Sequence, residues 1–170
     1  PGLVDGHTHM VFGGYRQHEI PMKLKGATYL DILRAGGGIL DTVRKTRAAT
    51  EQDLIYKTGK FAEEMMAHGV TTCEAKSGYG LDFENEIKML HVIKAVNETR
   101  DMDIVATFMG PHAVPEEYKG RGDEYIDMIC EKVLPYVKEN DLAEYADVFT
   151  EDSVFDYEQS RKYLECARKL

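Results

Sequence analysis

Short apolar segments alternate with longer amphipathic ones along the chain, a pattern that predicts strands and helices in turn. Strands are predicted where apolar and β-branched residues lie between turn-forming residues, over residues 1–9, 70–76, 103–109 and 146–150. Helices are predicted where apolar residues recur every three or four positions, over residues 29–35, from a cap at Thr50 to Gly69, and over residues 83–97, 125–134 and 157–170. Residues 11–26 are expected to be irregular, and Pro135 is expected to kink or end its helix.

Four strands, each followed by a helix, predict parallel βα units. No Gly-x-Gly-x-x-Gly motif follows any predicted strand, so the chain lacks the motif that is typical of a dinucleotide-binding sheet. The alternative is a (β/α)8 barrel, whose chemistry gathers at the C-terminal ends of the strands. We therefore predict an α/β fold, a partial TIM-like barrel of about the first four βα units. Because the chain opens directly on a strand and closes on an uncapped helix, we expect it to be a piece of a longer protein.

The composition narrows the classes of protein that fit. With 43% hydrophobic and 30% charged residues, the chain is typical of an ordinary soluble domain. It has no run of about 18 apolar residues that could span a membrane, and its Pro-Gly start is not that of a signal peptide. A formal net charge of −9 disfavours nucleic acid and anionic membranes as partners. The widely spaced cysteines predict small core residues in a reducing cytoplasm: Cys73, Cys130 and Cys166.

The first strand ends on two histidines, His7 and His9. Residues two apart in a strand project from the same face, so both imidazoles should aim at one point. Imidazole is a common ligand of zinc and iron, and two from one strand supply part of a catalytic metal site. An isolated His-x-His is more often a surface pair, but its place at the end of a barrel strand favours the metal.

Other polar residues fall at the ends of the later strands. Glu74 and Lys76 share a face of the second strand, where they are either functional groups inside a barrel or an ion pair on a solvated edge. His112 follows the third strand, and Glu151 and Asp152 follow the fourth. Arg16 lies in the loop after the first strand. Its guanidinium suits a carboxylate or phosphate, although most loop arginines are surface charges.

Whole strings of the sequence carry a resemblance to a known family. The opening Pro-Gly-Leu-Val-Asp-Gly-His-Thr-His resembles the first barrel strand of the amidohydrolase superfamily. Further strings narrow the resemblance to the imidazolonepropionase family: His9-Met-Val-Phe-Gly-Gly14, Gly26-Ala-Thr-Tyr29, Gly36-Gly-Gly-Ile39, Thr42-Val-Arg-Lys-Thr-Arg47, Lys76-Ser-Gly-Tyr-Gly80, Tyr118-Lys-Gly-Arg121 and Glu158-Gln-Ser-Arg161. The similarity runs over all 170 residues.

The resemblance implies a metal-dependent hydrolase of histidine degradation. Such enzymes open the cyclic amide of 4-imidazolone-5-propanoate to give N-formimidoyl-L-glutamate, with one zinc or iron ion activating water. It implies that His7 and His9 are metal ligands. It also implies that Arg16, Tyr79 and His112 bind the substrate, with Tyr29 a weaker candidate. The expected partner is this small molecule, with no nucleic acid and no membrane. The full-length protein is expected to be a cytoplasmic homodimer.

The resemblance also implies what the chain lacks. The remaining metal ligands and the general base of the family lie in later strands, so no catalytic residue is expected within residues 1–170. These residues would form a partial hydrolase barrel domain, without the later strands or any small β-sandwich domain. Two departures from the family pattern are Pro111 before His112 and Gly6 before His7. The alternatives are another amidohydrolase, dihydroorotase-like or deaminase-like, acting on cyclic amides or amidines, or a catalytically dead fragment.

Overall fold

Four parallel strands form one sheet in which the strand order follows the chain. In the computed structural model the strands are Leu3–Thr8 (β1), Val70–Lys76 (β2), Asp103–Phe108 (β3) and Tyr145–Ala146 (β4). The structure describes residues 1–151 and 153–170. A helix or a set of helices separates each strand from the next, which is the arrangement of consecutive βα units. The predicted α/β partial barrel is confirmed.

The helices lie between and after these strands. Their bounds are Ile20–Leu24 (α1), Tyr29–Arg34 (α2), Ile39–Ala48 (α3), Glu51–Ala67 (α4), Phe83–Thr99 (α5), Gly122–Met128 (α6), Leu134–Glu139 (α7) and Tyr157–Arg168 (α8). A π-helical segment, Ile129–Val133, joins α6 to α7. Two short 3-10 turns cover Gln17–Glu19 and Glu116–Tyr118. No helix within the described ranges is long and apolar enough to cross a membrane.

The main hydrophobic core lies where the helices α4 and α5 pack on the sheet. Cys73 and Ala75 point into it from β2 and are fully buried. Leu54 of α4 and Leu90 of α5 meet them from the helical layer. Burying a leucine side chain contributes about 1.5–3 kcal/mol, so this layer supplies much of the stability of the fold. The side chains on the opposite face of β2 point away from this core.

One helix, α3, lies directly after three glycines and was not predicted from the sequence pattern. Gly36, Gly37 and Gly38 end α2 as expected, but α3 begins at the next residue, which was not predicted. The buried side of α3 includes Thr42 and Thr46, so its apolar periodicity is weak. The Thr46 hydroxyl donates to the Thr42 carbonyl at 2.8 Å and accepts the Gly13 N–H at 2.9 Å, which satisfies it in the interior. Residues 11–26 likewise hold α1, where only irregular chain was predicted.

Pro135 does not end its helix, contrary to prediction. The helical path continues from Gly122 through the π-helical segment to Glu139, with Pro135 in the first turn of α7. A proline removes one N–H and crowds the carbonyl of the preceding turn. A π-helical segment lies directly before the proline, and such segments occur as single turns inside α-helices. Of the two predicted outcomes, a kink or an end of the helix, the end is therefore wrong.

The fourth strand is shorter than the predicted 146–150. β4 pairs with β3 only at Tyr145 and Ala146. Beyond it the Asp147 N–H donates to the Phe108 carbonyl at 3.0 Å, so the chain still follows β3 for one more residue. The Asp147 side chain then accepts the Val148 N–H at 2.8 Å, and this local turn takes the backbone out of the regular ladder.

Candidate functional site

Four aromatic side chains named by the sequence analysis meet at the C-terminal ends of β1, β2 and β3. The ring centre of His9 lies 5.5 Å from that of His7, 5.5 Å from that of Tyr79 and 4.7 Å from that of His112. His9 and His112 are stacked, with 17° between their ring planes. Tyr79 and His112 are 5.3 Å apart. Residues separated by more than a hundred positions in the chain thus share one cluster.

His9 is held in the neutral state that metal ligation requires. Burial lowers its pKa to about 4, and His112, His7 and Lys76 add to the effect. Its Nδ1 atom is buried and has no hydrogen-bond partner among the residues that the structure describes. A buried polar atom without a partner costs about 1–3 kcal/mol, so a ligand for that nitrogen would stabilise the site. Both observations fit a cation held by imidazole.

His7 and His9 do not complete a metal site by themselves. Within residues 1–151 and 153–170, no group of three or more His, Cys, Asp or Glu side chains is arranged to hold a metal ion. A catalytic zinc usually has three protein ligands and water. The donor chemistry of the two imidazoles therefore fits a zinc or iron ion that also takes ligands from elsewhere.

His112 has a defined tautomer. Its Nδ1 lies 3.0 Å from the carbonyl oxygen of Gly78. A carbonyl can only accept, so the geometry assigns the proton to Nδ1 and leaves Nε2 as an acceptor. Burial lowers the pKa of His112, although the Gly78 carbonyl and Asp147 oppose the shift. The ring therefore offers a neutral hydrogen-bond acceptor within the cluster.

Two buried tyrosines fix the backbone that leads to His112. The Tyr163 hydroxyl donates to the Phe108 carbonyl, and the Tyr125 hydroxyl donates to the Gly110 carbonyl, each at 3.0 Å. Burial raises the pKa of both phenols well above the usual value, so both remain donors. The end of β3 is thereby bonded to α6 and α8. Pro111 does not displace His112 from the cluster.

Arg16 lies close enough to Tyr79 for its charge to act on the pKa of the phenol. The phenol is partly buried, which raises its pKa, while the Arg16 charge lowers it. Arg16 itself is exposed, and the described part of the chain provides it with no ion pair. A protonated phenol and an exposed guanidinium next to each other can bind the two ends of a small polar anion.

Two lysines hold the loop that carries Arg16. The Lys57 ammonium lies 3.6 Å from the ring centre of Phe12 and 4.1 Å from that of Tyr15, and it donates to the Phe12 carbonyl at 3.1 Å. Burial lowers its pKa. Lys45 donates to the Tyr15 carbonyl at 2.9 Å. The residue before Arg16 is thus fixed on both its ring and its carbonyl.

The charged pair on β2 belongs to a larger network of side chains. Lys76 is almost completely buried and donates to Glu74 at 2.7 Å and to Asp147 at 2.9 Å. Thr107 on β3 donates to the same Glu74 oxygen at 2.5 Å. Burial alone would lower the Lys76 pKa, but its bonds to the two carboxylates raise it. The two residues do form an ion pair, but Lys76 is buried and β2 is a central strand, so the solvated edge of that interpretation is wrong. Both charges act on the pKa of His9.

Sequence reasoning missed Asp147 and did not place the Tyr29 candidate. Asp147 follows β4 directly, so its position at a strand end was the available signal. The Tyr29 side chain lies outside the part of the chain that the structure describes, although its backbone begins α2. Asp152 also lies outside the described residues. Phe149 was not singled out either, and its ring lies 6.2 Å from that of His112, at the rim of the cluster.

Comparison with known proteins supports the family suggested by the strings. No family model matches the chain. Imidazolonepropionases of Alkaliphilus oremlandii and Streptococcus pyogenes serotype M49 are each 51% identical to it over 170 residues, and that of Streptococcus gordonii is 52% identical over the same length. The alignments cover 100% of this chain and 40% of each relative, so the chain spans about 40% of the length of the curated relatives it matches. The predicted resemblance to imidazolonepropionases is confirmed over every residue of the chain.

Proposed function

We propose that this chain forms the substrate-binding and part of the metal-binding wall of an imidazolonepropionase. The reaction is the hydrolytic opening of the cyclic amide of 4-imidazolone-5-propanoate to N-formimidoyl-L-glutamate, in histidine degradation. The observation that supports it best is the meeting of His7, His9, Tyr79 and His112 at one end of the sheet. Arg16 is near enough to Tyr79 to act on its pKa. The identity of 51% over the whole chain to named imidazolonepropionases agrees with this geometry.

His7 and His9 would be the two ligands that this chain gives to a zinc or iron ion. When bound, such an ion supplies Lewis-acid activation of water and stabilises negative charge on the substrate oxygen. His9 is prepared for ligation because burial keeps its ring neutral. The network of Glu74, Lys76 and Asp147 acts on His9 and His112, and its two carboxyl groups outnumber its one ammonium, so its charges do not cancel.

The substrate would lie across the aromatic cluster. Its propionate is an anion, and Arg16 offers an exposed guanidinium that forms no ion pair with the described residues. Its flat polar ring carries N–H and carbonyl groups, which the His112 Nε2 acceptor and the Tyr79 hydroxyl complement. Tyr29 remains a further candidate for substrate contact. Shape and hydrogen bonding together would select a five-membered ring with an acidic arm.

The rest of the machinery would lie in the part of the protein that this chain does not span. Further metal ligands and a general base are needed, and we assign no catalytic residue to residues 1–170. These residues would be a partial barrel domain, without the later strands or a small β-sandwich domain. We further propose a cytoplasmic homodimer that binds neither nucleic acid nor membranes, in agreement with the net charge of −9.

Turnover by the full-length protein tests this function. We expect hydrolysis of 4-imidazolone-5-propanoate and none of dihydroorotate, measured side by side with metal content. Replacing His9 with alanine should lower the bound metal as well as the rate, because a ligand is lost. Preferential turnover of dihydroorotate or of an aminated ring would instead favour another amidohydrolase. Full metal content in the His9→Ala variant would contradict the assignment of the ligand.

A further inference from the structure

Glu86 carries a buried carboxyl group that forms no ion pair among the described residues. It lies in the first turn of α5 and is only 2% exposed. Its partners are backbone N–H groups and the Ser77 hydroxyl. Burial raises that pKa, and the hydrogen bonds oppose the rise. Placing a carboxyl group in such a position is costly unless its oxygens are fully bonded.

The bonds of Glu86 all go to the loop that follows β2. The Gly78 N–H reaches both carboxylate oxygens at 3.1 Å. The Gly80 N–H donates to Oε1 at 2.8 Å and the Leu81 N–H donates to it at 2.9 Å. One side chain therefore gathers three amides of a loop only five residues long, Ser77 to Leu81.

The conformation of this loop needs such support. Gly78 has a φ of 108° and Leu81 a φ of 57°, and for leucine this left-handed region is unfavourable. A residue held there costs about 1–3 kcal/mol unless its surroundings fix it. Leu81 is fully buried, so packing and the Glu86 carboxylate fix it together.

The same loop determines where two site residues lie. Tyr79 stands between the amides that Glu86 binds. The Gly78 carbonyl accepts the Nδ1 proton of His112 at 3.0 Å, which sets the tautomer of that ring. Ser77 Oγ accepts the Met109 N–H at 2.9 Å, close before His112. Moving the loop would therefore move Tyr79 and release His112.

We infer that Glu86 is a positioning residue for substrate binding: it acts through the Ser77–Leu81 loop to hold the Tyr79 hydroxyl and the His112 Nε2 acceptor toward the substrate ring. The inference rests on the proposed function for the identity of the ring. Within the described residues, Glu86 forms no hydrogen bond to the side chains of the cluster. Its contribution is the geometry of two hydrogen-bonding groups, which a displacement of about 1 Å is enough to spoil.

The test uses Glu86→Gln in the full-length protein. Glutamine keeps the size but replaces one acceptor oxygen with an N–H₂ group that cannot accept the amides. With ¹⁵N-histidine labelling, His112 of the unmodified protein should show a protonated Nδ1, and the variant should show a mixture of tautomers. The kcat/KM for imidazolone hydrolysis should fall by about 10-fold to 100-fold.

Glu84→Gln is the matched control, because Glu84 lies in the same first turn but is exposed. It should change neither the His112 spectrum nor the kinetics. If Glu86→Gln fails to fold, Ser77→Ala removes the hydroxyl that joins Glu86 to Met109 and should shift the same signals by a smaller amount.

Unchanged His112 signals and unchanged kinetics in a folded variant would overturn the inference. A failure of the proposed function gives a different result. In that case the unmodified protein would not hydrolyse the imidazolone, while the tautomer of His112 would still change on Glu86→Gln. The spectroscopic and kinetic measurements therefore separate the two ideas.

Discussion

The two faces of β2 differ sharply in chemistry. Toward the helices, Cys73 and Ala75 are apolar and fully buried in the core. Toward the site, Glu74 and Lys76 carry opposite charges and bond to each other, and Lys76 also bonds to Asp147. A parallel strand must be covered on both faces, and here one cover is hydrophobic packing while the other is a charge network. The comparison indicates that stability resides on the helical side and specificity on the site side.

The largest expected effect concerns the site face alone. Residues 1–170 without the remainder of the protein should not hydrolyse the imidazolone and should bind metal poorly. Within the described residues no three-ligand group exists, and a missing general base is worth about 10²–10⁴-fold in rate. Metal analysis and an activity assay of the purified chain check this. Tight stoichiometric metal with turnover would show that the site face is complete.

The same chain should also associate in solution. Leu3 is 62% exposed and Val4 is 73% exposed on the edge strand β1, which has a partner strand on only one side. Exposed apolar edges pair with other chains. Sedimentation or light scattering should find assemblies larger than a monomer, and a stable monomer at high concentration would contradict the expectation.

Shortening a side chain on the helical side of the sheet should lower the stability of the fold. Leu90→Ala in the full-length protein removes a fully buried side chain of α5 and should lower the free energy of unfolding by about 2–5 kcal/mol. The KM should not change, since Leu90 faces away from the site. Denaturant unfolding and steady-state kinetics measure both. Leu24→Ala is the control, because Leu24 is 83% exposed and should cost less than about 0.5 kcal/mol.

Changing a substrate-binding residue on the site side should weaken substrate binding. Arg16→Lys in the full-length enzyme keeps the charge but loses the two-pronged contact with the propionate. We expect the KM to rise about tenfold, the value of one charged hydrogen bond, and kcat to change less. The exposed Arg161, replaced in the same way, should leave both constants unaltered. Identical kinetics for Arg16→Lys would assign Arg16 to the surface.

Breaking the network of Glu74, Lys76 and Asp147 should have the smallest effect on stability, and that effect should depend on pH. Burial would raise the pKa of Asp147, but Lys76 and the Val148 N–H lower it below its ordinary 3.8. A lowered pKa stabilises the fold at pH values above the unfolded pKa, and this stabilisation is lost as the pH falls through the folded one. Lys76→Met should therefore reduce stability by about 1 kcal/mol at neutral pH, and the difference should shrink in acid.

Unfolding curves recorded from neutral pH down to about pH 3 measure this difference. The control is Lys60→Met, which breaks an exposed pair with Glu63 and should have little effect at any pH, as is usual for surface ion pairs. If the difference in the free energy of unfolding between the Lys76 variant and the unmodified protein is constant over the whole pH range, the network does not stabilise the fold through its charges.

The sequence predicted the features that depend on neighbouring residues. The limits of β2, residues 70–76, agree with the structure, and Thr50 caps α4 by accepting the Asp53 N–H. α3 was missed because its buried threonines weaken the apolar period. The bond from His112 to Gly78 joins residues 34 positions apart, and no local pattern encodes it.

Glu86 shows a signal that could have been used. It lies four residues before Leu90 and seven before Ile93, on the stripe of α5 that faces the core. A charged residue on such a stripe is rarely buried without a reason. The sequence therefore contained the anomaly, but the identity of its partners depended on a loop whose conformation only the structure gives.

The contact between Gly78 and His112 limits how the site could be redesigned. A Cβ at position 78 would lie 2.9 Å from the His112 Cβ and 2.7 Å from the Met109 carbonyl oxygen, both too close. An engineer who wishes to accept a different ring would have to vary side chains such as Tyr79 or Phe149 and leave this glycine untouched. In a saturation library, position 78 should return almost only glycine among active clones, while position 149 should return many residues.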